Sequence, residues 1–150
     1  MPETPAFSVR RADWALDQTA IAGVRRAVFI EEQAVPEQLE WEALDPVCTW
    51  FVAEAGERLH QDVVGIVRLT PDARIGRMAV LPSWRRRGIG AALLAQALRE
   101  ARRQGFSGVH LSAQVPAVPF YARFAFQPAG DVYEDAGIPH MSMTLDWKDA

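Results

Sequence analysis

Residues 74–104 change hydrophobic period abruptly, and that change constrains the fold more than any other feature of the chain. Arg74 to Leu81 reads as a β-strand and Pro82 stops it. Gly88 to Gln104 then carries Ala91, Leu94, Leu98 and Ala101 on one helical face, with Gly105 as a C-cap. The connection between them is Pro82-Ser83-Trp84-Arg85-Arg86-Arg87-Gly88-Ile89-Gly90. Glycines in such a turn accept positive φ and let another molecule approach the backbone, while the first turn of a helix offers unpaired N–H groups at the positive end of its dipole. A run of arginines alone is more often a solvated face. Placed at a glycine-rich helix start, it supplies charge to a diphosphate cradle.

The remaining elements alternate around this unit. Phe7-Ser8-Val9 is a short strand signal, and Asp13 is positioned to cap a helix in which Trp14, Ile21, Val24, Val28 and Phe29 follow helical spacing to about Gln33. Thr49–Ala53 and Val63–Leu69 are β-rich runs joined by the polar segment Gly56–Asp62, which predicts a hairpin and antiparallel neighbours. Val109–Ala113 is a further strand and Val118–Phe124 a short helix. Met141, Met143, Leu145 and Trp147 line one face of a last strand after Pro139. The order β-helix-β-β-β-α-β-α-β-β predicts an α/β fold: a mixed, mostly antiparallel central sheet with helices on both faces, not a doubly wound parallel one.

Composition narrows the function classes. With 150 residues, 49% hydrophobic and 23% charged, the chain suits one domain over residues 1–150 with one continuous core, and no repeat or linker divides it. At a net charge of −3 the sixteen basic residues cannot form the all-over positive surface usual in nucleic-acid binders, so any basic site must be local and no nucleic-acid partner is expected. Cys48, the only cysteine, permits neither an internal disulfide nor a multi-cysteine zinc site, and reads as a half-buried hydrophobe. Residues 1–11 lack an apolar signal core, and no apolar run approaches the roughly 20 residues that span a membrane. A cytoplasmic protein without a membrane partner is the expectation. His60 reads as a hairpin surface residue and His110 as a strand residue of opposite phase to Leu111, so with three histidines in all no metal is expected.

Two common phosphate motifs fail on inspection. A nucleoside-triphosphate loop needs Gly-Lys-Ser/Thr after its glycines, whereas Gly88-Ile89-Gly90 is followed by Ala91-Ala92-Leu93. A dinucleotide fingerprint needs a small residue at Leu93 and an acidic residue after the next strand, and neither is present. The loop instead resembles that of the GNAT superfamily of N-acetyltransferases, Gln/Arg-x-x-Gly-x-Gly/Ala, met by Arg85, Gly88 and Gly90. Arg77-Met78-Ala79-Val80-Leu81-Pro82 looks like the family strand whose splayed backbone bonds the pantetheine arm. Gln114-x-x-Ala117-x-x-Phe120-Tyr121-x-Arg123-x-Ala125-Phe126 resembles its second cofactor segment. Phe29–Gln33 and Ala136–Met141 are similar to the ElaA/YjcF-like branch. Gln114 replaces the usual Asn and Ala125 the usual Gly.

The resemblance implies a GNAT-like sheet with a splayed-strand cofactor cleft and acetyl-CoA as donor. It implies cofactor contacts from Met78, Ala79, Val80, Arg85, Arg86, Arg87, Gly88, Ile89, Gly90, Ala91 and Gln114, and makes Tyr121 the residue that protonates the coenzyme A thiolate. Attack by a neutral amine also needs a proton acceptor. The motif strand offers Arg74 and Arg77 where many relatives carry a carboxylate, which leaves His140 or water, although His140 alone reads equally as structural. Glu31, Glu32, Glu134 and Asp135 are candidates to line the mouth for a cationic small-molecule or peptide amine, against a simpler reading as solvated charges. Trp14, Trp41, Trp50 and Trp147 read as core or partial lids. A non-catalytic acyl-CoA-binding module with the same fold is the alternative, and a homodimer through the late strands stays open.

Overall fold

Trp50 and Val52 point to one face of the sheet and Phe51, Ala53 and Ala55 to the other, and each set is buried in a different apolar cluster. Unbroken hydrophobic runs such as residues 49–53 therefore belong to strands covered on both sides. The computed structural model describes residues 6–57 and 60–149. Its strands are β1 (Phe7–Arg11), β2 (Thr49–Glu57), β3 (His60–Leu69), β4 (Arg74–Val80), β5 (Gly108–Gln114), β6 (Gln127–Pro128), β7 (Tyr133–Asp135) and β8 (Ile138–Asp146). The helices are α1 (Trp14–Arg25), α2 (Glu37–Glu40), α3 (Ile89–Arg103) and α4 (Val118–Ala122). The sheet runs β1-β2-β3-β4-β5-β8-β6, with β7 on β8. Among the described residues only β4 and β5 pair in parallel, so the mixed, mostly antiparallel sheet expected of the sequence is observed.

Ile21, Val24 and Val28 pack from α1 and its continuation onto Trp50, Val52, Ile66 and Ala79. On the opposite face Ile89, Leu93, Leu94, Ala97 and Ala101 of α3 are buried against β2, β3 and β5. Ala91 and Leu98, expected within that stripe, lie half-buried at its edges, while Leu93 and Ala97 take the centre.

Several boundaries differ from the sequence reading for identifiable reasons. Asp13 caps α1 by accepting from the Ala15 N–H at 3.0 Å, but from Arg26 to Glu32 the helix winds on as a π-helix. Gly56 pairs with Gln61 and Glu57 with His60, so most of the expected connection Gly56–Asp62 is strand. Gln61 and Asp62 are exposed on this ladder, and the turn itself, residues 58–59, lies outside the described residues. The side chain of His60 likewise lies outside them. Val118–Ala122 is preceded by a 3₁₀ turn and ends two residues short of the expected Phe124. Three short or late strands follow it instead of two, and Trp147 leaves the last strand as a 3₁₀ turn whose indole N–H donates to Phe106 O. Among the described residues no helix is long and apolar enough to cross a membrane.

Candidate active site

The cleft begins where β4 stops pairing with β5. Their parallel ladder holds only at Arg74↔His110 and Ile75↔Leu111, and beyond Ile75 the strands diverge. A β-bulge adds to the divergence. Between Arg68↔Gly76 and Ile66↔Ala79, β4 has one residue more than β3, and Arg77 carries the irregularity at φ 46°. The free edge of Met78, Ala79 and Val80 therefore faces a groove whose other wall is Ala117 and Phe120. Tyr121, beyond them, lines its inner end.

The outer end of the groove is the arginine-glycine turn. Arg86 (φ 64°) and Gly88 (φ 82°) both adopt the left-handed region, and Gly88 is the residue from which α3 starts. The first intrahelical bond is Ala92 N–H to Gly88 O at 3.0 Å, so the N–H groups of Ile89, Gly90 and Ala91 are free of the helix ladder and line the groove. The three arginines separate. Arg85 donates from Nε to Val80 O at 2.9 Å and grips Glu32 with both terminal nitrogens at 2.8 and 2.6 Å. That pair holds the Glu32 carboxyl below its ordinary range. Arg86 lines the groove, whereas Arg87 stacks over Trp84 at 4.8 Å and donates to Ser83 O. Arg123, which follows α4, joins Arg86 on the lining. It stands in the second resemblance segment, but the sequence does not say which way its side chain turns.

At the inner end Tyr121 packs edge-on to Phe120 and Phe126, with centroids 5.1 and 5.9 Å away. Burial pushes its phenol up to about 12, so the hydroxyl keeps its proton at neutral pH. Among the described residues it has no hydrogen-bond partner. His140 on β8 places Nδ1 2.6 Å from Ile138 O. A carbonyl only accepts, so Nδ1 carries a hydrogen and Nε2 of the neutral ring holds the lone pair. Gln114, opposite His140 in register, donates to Gln33 Oε1 at 2.8 Å and so ties β5 to the end of the π-helical segment. Gln33, Met78, Ala117 and Phe120 line both ends of the groove, which makes it one continuous cleft.

The four candidate mouth carboxylates do not act together. Glu32 belongs to Arg85 at the outer, arginine-glycine end, because the π-helical winding that ends there carries Phe29 and Gln33 to the inner cavity. Glu31 stays in solvent near Arg26. Glu134 and Asp135 are both exposed and point to opposite sides of β7, and of the two only Asp135 lines the cavity.

A cluster that the sequence reading missed lies against the bulge. Arg25 Nε sits 2.7 Å from Glu40 and its Nη1 2.8 Å from Asp45. Arg68 binds Asp45 at 2.9 Å and Glu42 at 2.8 Å, and Arg77 binds Glu42 at 2.8 Å and Glu40 at 3.1 Å. Three arginines thus balance three carboxylates under the indole of Trp50, with Arg25 5.3 Å from its ring. Carboxylates do reach the motif strand, from residues 40–45, but all of them are held by arginine. Desolvation raises Glu40, and the arginines hold Glu42 and Asp45 low in spite of burial. The only signals in sequence were isolated arginines inside apolar runs. His110 is exposed, with its ring Nε2 3.1 Å from Asp72 O, and Cys48 is half-buried with Sγ donating to Leu44 O. No metal-binding cluster of His, Cys, Asp or Glu occurs among the described residues.

A family model described as an acetyltransferase (GNAT) domain matches residues 14–147. The N-acetyltransferase YjcF of Bacillus subtilis is 34% identical over 127 residues, covering 82% of this chain and 88% of its own. Protein ElaA of Escherichia coli is 28% identical over 142 residues, covering 85% and 86%. The crystal structure of an acyl-CoA N-acyltransferase from Pseudomonas aeruginosa superposes with a TM-score of 0.76 at 27% identity, over 94% of this chain and 99% of that one. The splayed β4 and β5, the bulge at Arg77 and the glycine-started α3 are thus the cleft of a known family, and the chain belongs to the GNAT acetyltransferases, among relatives that include YjcF and ElaA.

Proposed function

We propose that the chain is an acetyl-CoA-dependent N-acetyltransferase that transfers acetyl to a primary amine of a small molecule or peptide by direct attack. The observation that carries this reading is the sequence of surfaces along one cleft: free helix N–H groups with Arg85 and Arg86, then the unpaired edge of β4, then a desolvated phenol. A diphosphate fits the first, an amide-bearing pantetheine arm the second, and a thioester the third. The residues expected to hold coenzyme A are Arg85, Arg86 and Gly88 to Ala91 at the diphosphate and Met78, Ala79 and Val80 along the arm, to which Arg123 is added. Arg87, turned onto Trp84, is left out. Gln114 acts through Gln33, as a brace across the cleft.

Acetyl-CoA supplies an acetyl group activated as a thioester. As the amine nitrogen bonds to the acetyl carbon the carbon–sulfur bond breaks, the sulfur gains one proton and the nitrogen loses one. Tyr121, protonated until well above neutral pH, is suited to give the first. His140, with Nδ1 committed to Ile138 O, is suited to take the second on Nε2, directly or through water. Val80 lines the cleft wall, and the peptide N–H groups around it are suited to polarise the carbonyl.

Calorimetry with acetyl-CoA together with thiol release across an amine panel tests the reading. Tyr121→Phe is expected to lower kcat at least tenfold with the acetyl-CoA Kd unchanged, because the proton is used only in the reaction. Equal kcat in the variant removes the acid role. Tight acetyl-CoA binding with no thiol released for any amine makes the chain a binding module.

A further inference from the structure

The inner cavity has a floor with an alternating pattern. Across β5 and β8, His110 faces Thr144, Ser112 faces Ser142 and Gln114 faces His140, all exposed or half-buried, while Val109, Leu111, Ala113, Met143 and Leu145 turn to the core. Polar side chains therefore continue from the reacting end of the cleft across the sheet, and Arg74 and Ser112 line both the cavity and the polar groove beyond it.

Four charged side chains other than histidine line the cavity: Arg68, Arg74, Arg77 and Asp135. Arg68 and Arg77 are neutralised from behind by Glu40, Glu42 and Asp45, which Arg25 also shares. The other two differ. Among the described residues Arg74 has no carboxylate within 4.0 Å and Asp135 no cation. Asp72, whose carboxyl feels the charge of Arg74, is hydrogen-bonded instead by the Thr70 hydroxyl. Asp135 is fixed in place by a two-residue turn, Ala136 (φ 53°) and Gly137 (φ 78°), that pairs it with Ile138. One unpaired cation and one unpaired anion thus open onto the same small cavity.

We propose that the acceptor is a zwitterion, a free α-amino acid whose carboxylate binds Arg74 and whose amine is drawn to Asp135 beside His140. The proposal rests on the N-acetyltransferase reading and names its acceptor class. A simple alkylammonium satisfies Asp135 but leaves Arg74 empty, and a polyamine is repelled by it. An amino acid satisfies both, and the flat guanidinium pairs a carboxylate through two parallel N–H bonds. Once bound, the ammonium releases its first proton to water, and the neutral nitrogen then attacks with the balance given above, its second proton going to His140 Nε2 and the sulfur's proton coming from Tyr121.

The test compares the common L-amino acids with their α-carboxamides, which keep the amine and lose the anion, in the native protein and in Arg74→Gln. Arg74 is exposed, so the substitution leaves the fold intact. The best amino acid should exceed its carboxamide about 10- to 100-fold in kcat/KM, the range of a hydrogen bond to a charged group, and the ratio should fall towards one in Arg74→Gln with the acetyl-CoA Kd unchanged. Carboxamides or alkylamines used as well as amino acids overturn the proposal and leave the N-acetyltransferase reading standing. Titration of the coenzyme A complex with the same amino acids separates the two ideas. Arg74-dependent amino-acid binding without any thiol release keeps the zwitterion site and sinks the transferase reading, whereas neither binding nor turnover of amino acids sinks the site.

Discussion

Glu32→Gln is expected to tighten coenzyme A binding, although it deletes an ion pair. Glu32 and Arg85 are each 39% exposed at their side chains and joined by two short bonds, so the pair is neutral as seen by an arriving diphosphate. Exposed pairs of this kind stabilise by about 0.2–1 kcal/mol, and Arg85 keeps its bond to Val80 O when Glu32 is neutralised. Against that small loss stands the removal of a like charge. A carboxylate about 6 Å from one phosphate charge repels it by about 1 kcal/mol at an effective dielectric of about 55, and the second phosphate adds a fraction more. The lost pair lowers folding stability and cancels from Kd, so the removed repulsion gives a tightening of about fivefold in Kd at low ionic strength. Calorimetry with coenzyme A at about 20 mM salt reads it directly. Screening should erase the gain by about 0.5 M salt, where the Debye length is shorter than the assumed separation. Binding weakened more than twofold at low salt refutes the reasoning and makes Glu32 the residue that aims Arg85.

Two further outcomes test the framework around the site. Asp45 is 5% exposed and holds Arg25, Arg68 and the Glu42 N–H, so Asp45→Ala strands buried positive charge and should destabilise by about 3–5 kcal/mol, read as a lowered urea midpoint. A loss under about 1 kcal/mol shows that the cluster is not coupled to folding. Glu100 is held down to about 2 by the Arg103 side chain, with help from Gln104. Because its folded value lies below the ordinary 4.5, its contribution is complete above about pH 4.5 and is lost as pH falls towards 2. Arg103 is 65% exposed, which limits that contribution to about 1 kcal/mol, and Glu100→Gln should flatten the acid limb of stability by this amount. An unchanged limb between pH 4.5 and 2 refutes the assignment.

The arginine-glycine end of the cleft was legible because its requirements are local. A stopped strand, a left-handed glycine and a helix start within 17 residues fix where free N–H groups must lie, whatever the rest of the chain does. The separation of Arg85 and Arg86 from Arg87 was not legible, since it depends on Trp84 being available for stacking and on Glu32 arriving from 53 residues away. The antiparallel pairing of β2 with β3 and the helices on both faces of a mixed sheet followed from period; the division of the expected single core into two clusters did not, and arises because runs such as residues 49–53 bury alternate residues on opposite faces. The π-helical winding did not, because α- and π-helices use the same residue types and differ only by a hydrogen-bond register that the packing selects.

The proposed acceptor half is assembled from four separated segments, and none of its charges has meaning alone. Arg68, Arg74 and Arg77 look alike in the sequence, three cations on two neighbouring strands. Only the return of residues 40–45 beneath the sheet neutralises two of them and leaves the third. Asp135 stands apart from Glu134 only through strand alternation on a three-residue strand and a turn with two left-handed residues. Under the proposed acceptor site specificity lies in which charges the fold leaves unpaired, so Glu42→Gln, which uncovers part of the charge of Arg68 and Arg77, should shift acceptor choice towards more anionic amines, read as the kcat/KM ratio of an acidic to a neutral amino acid.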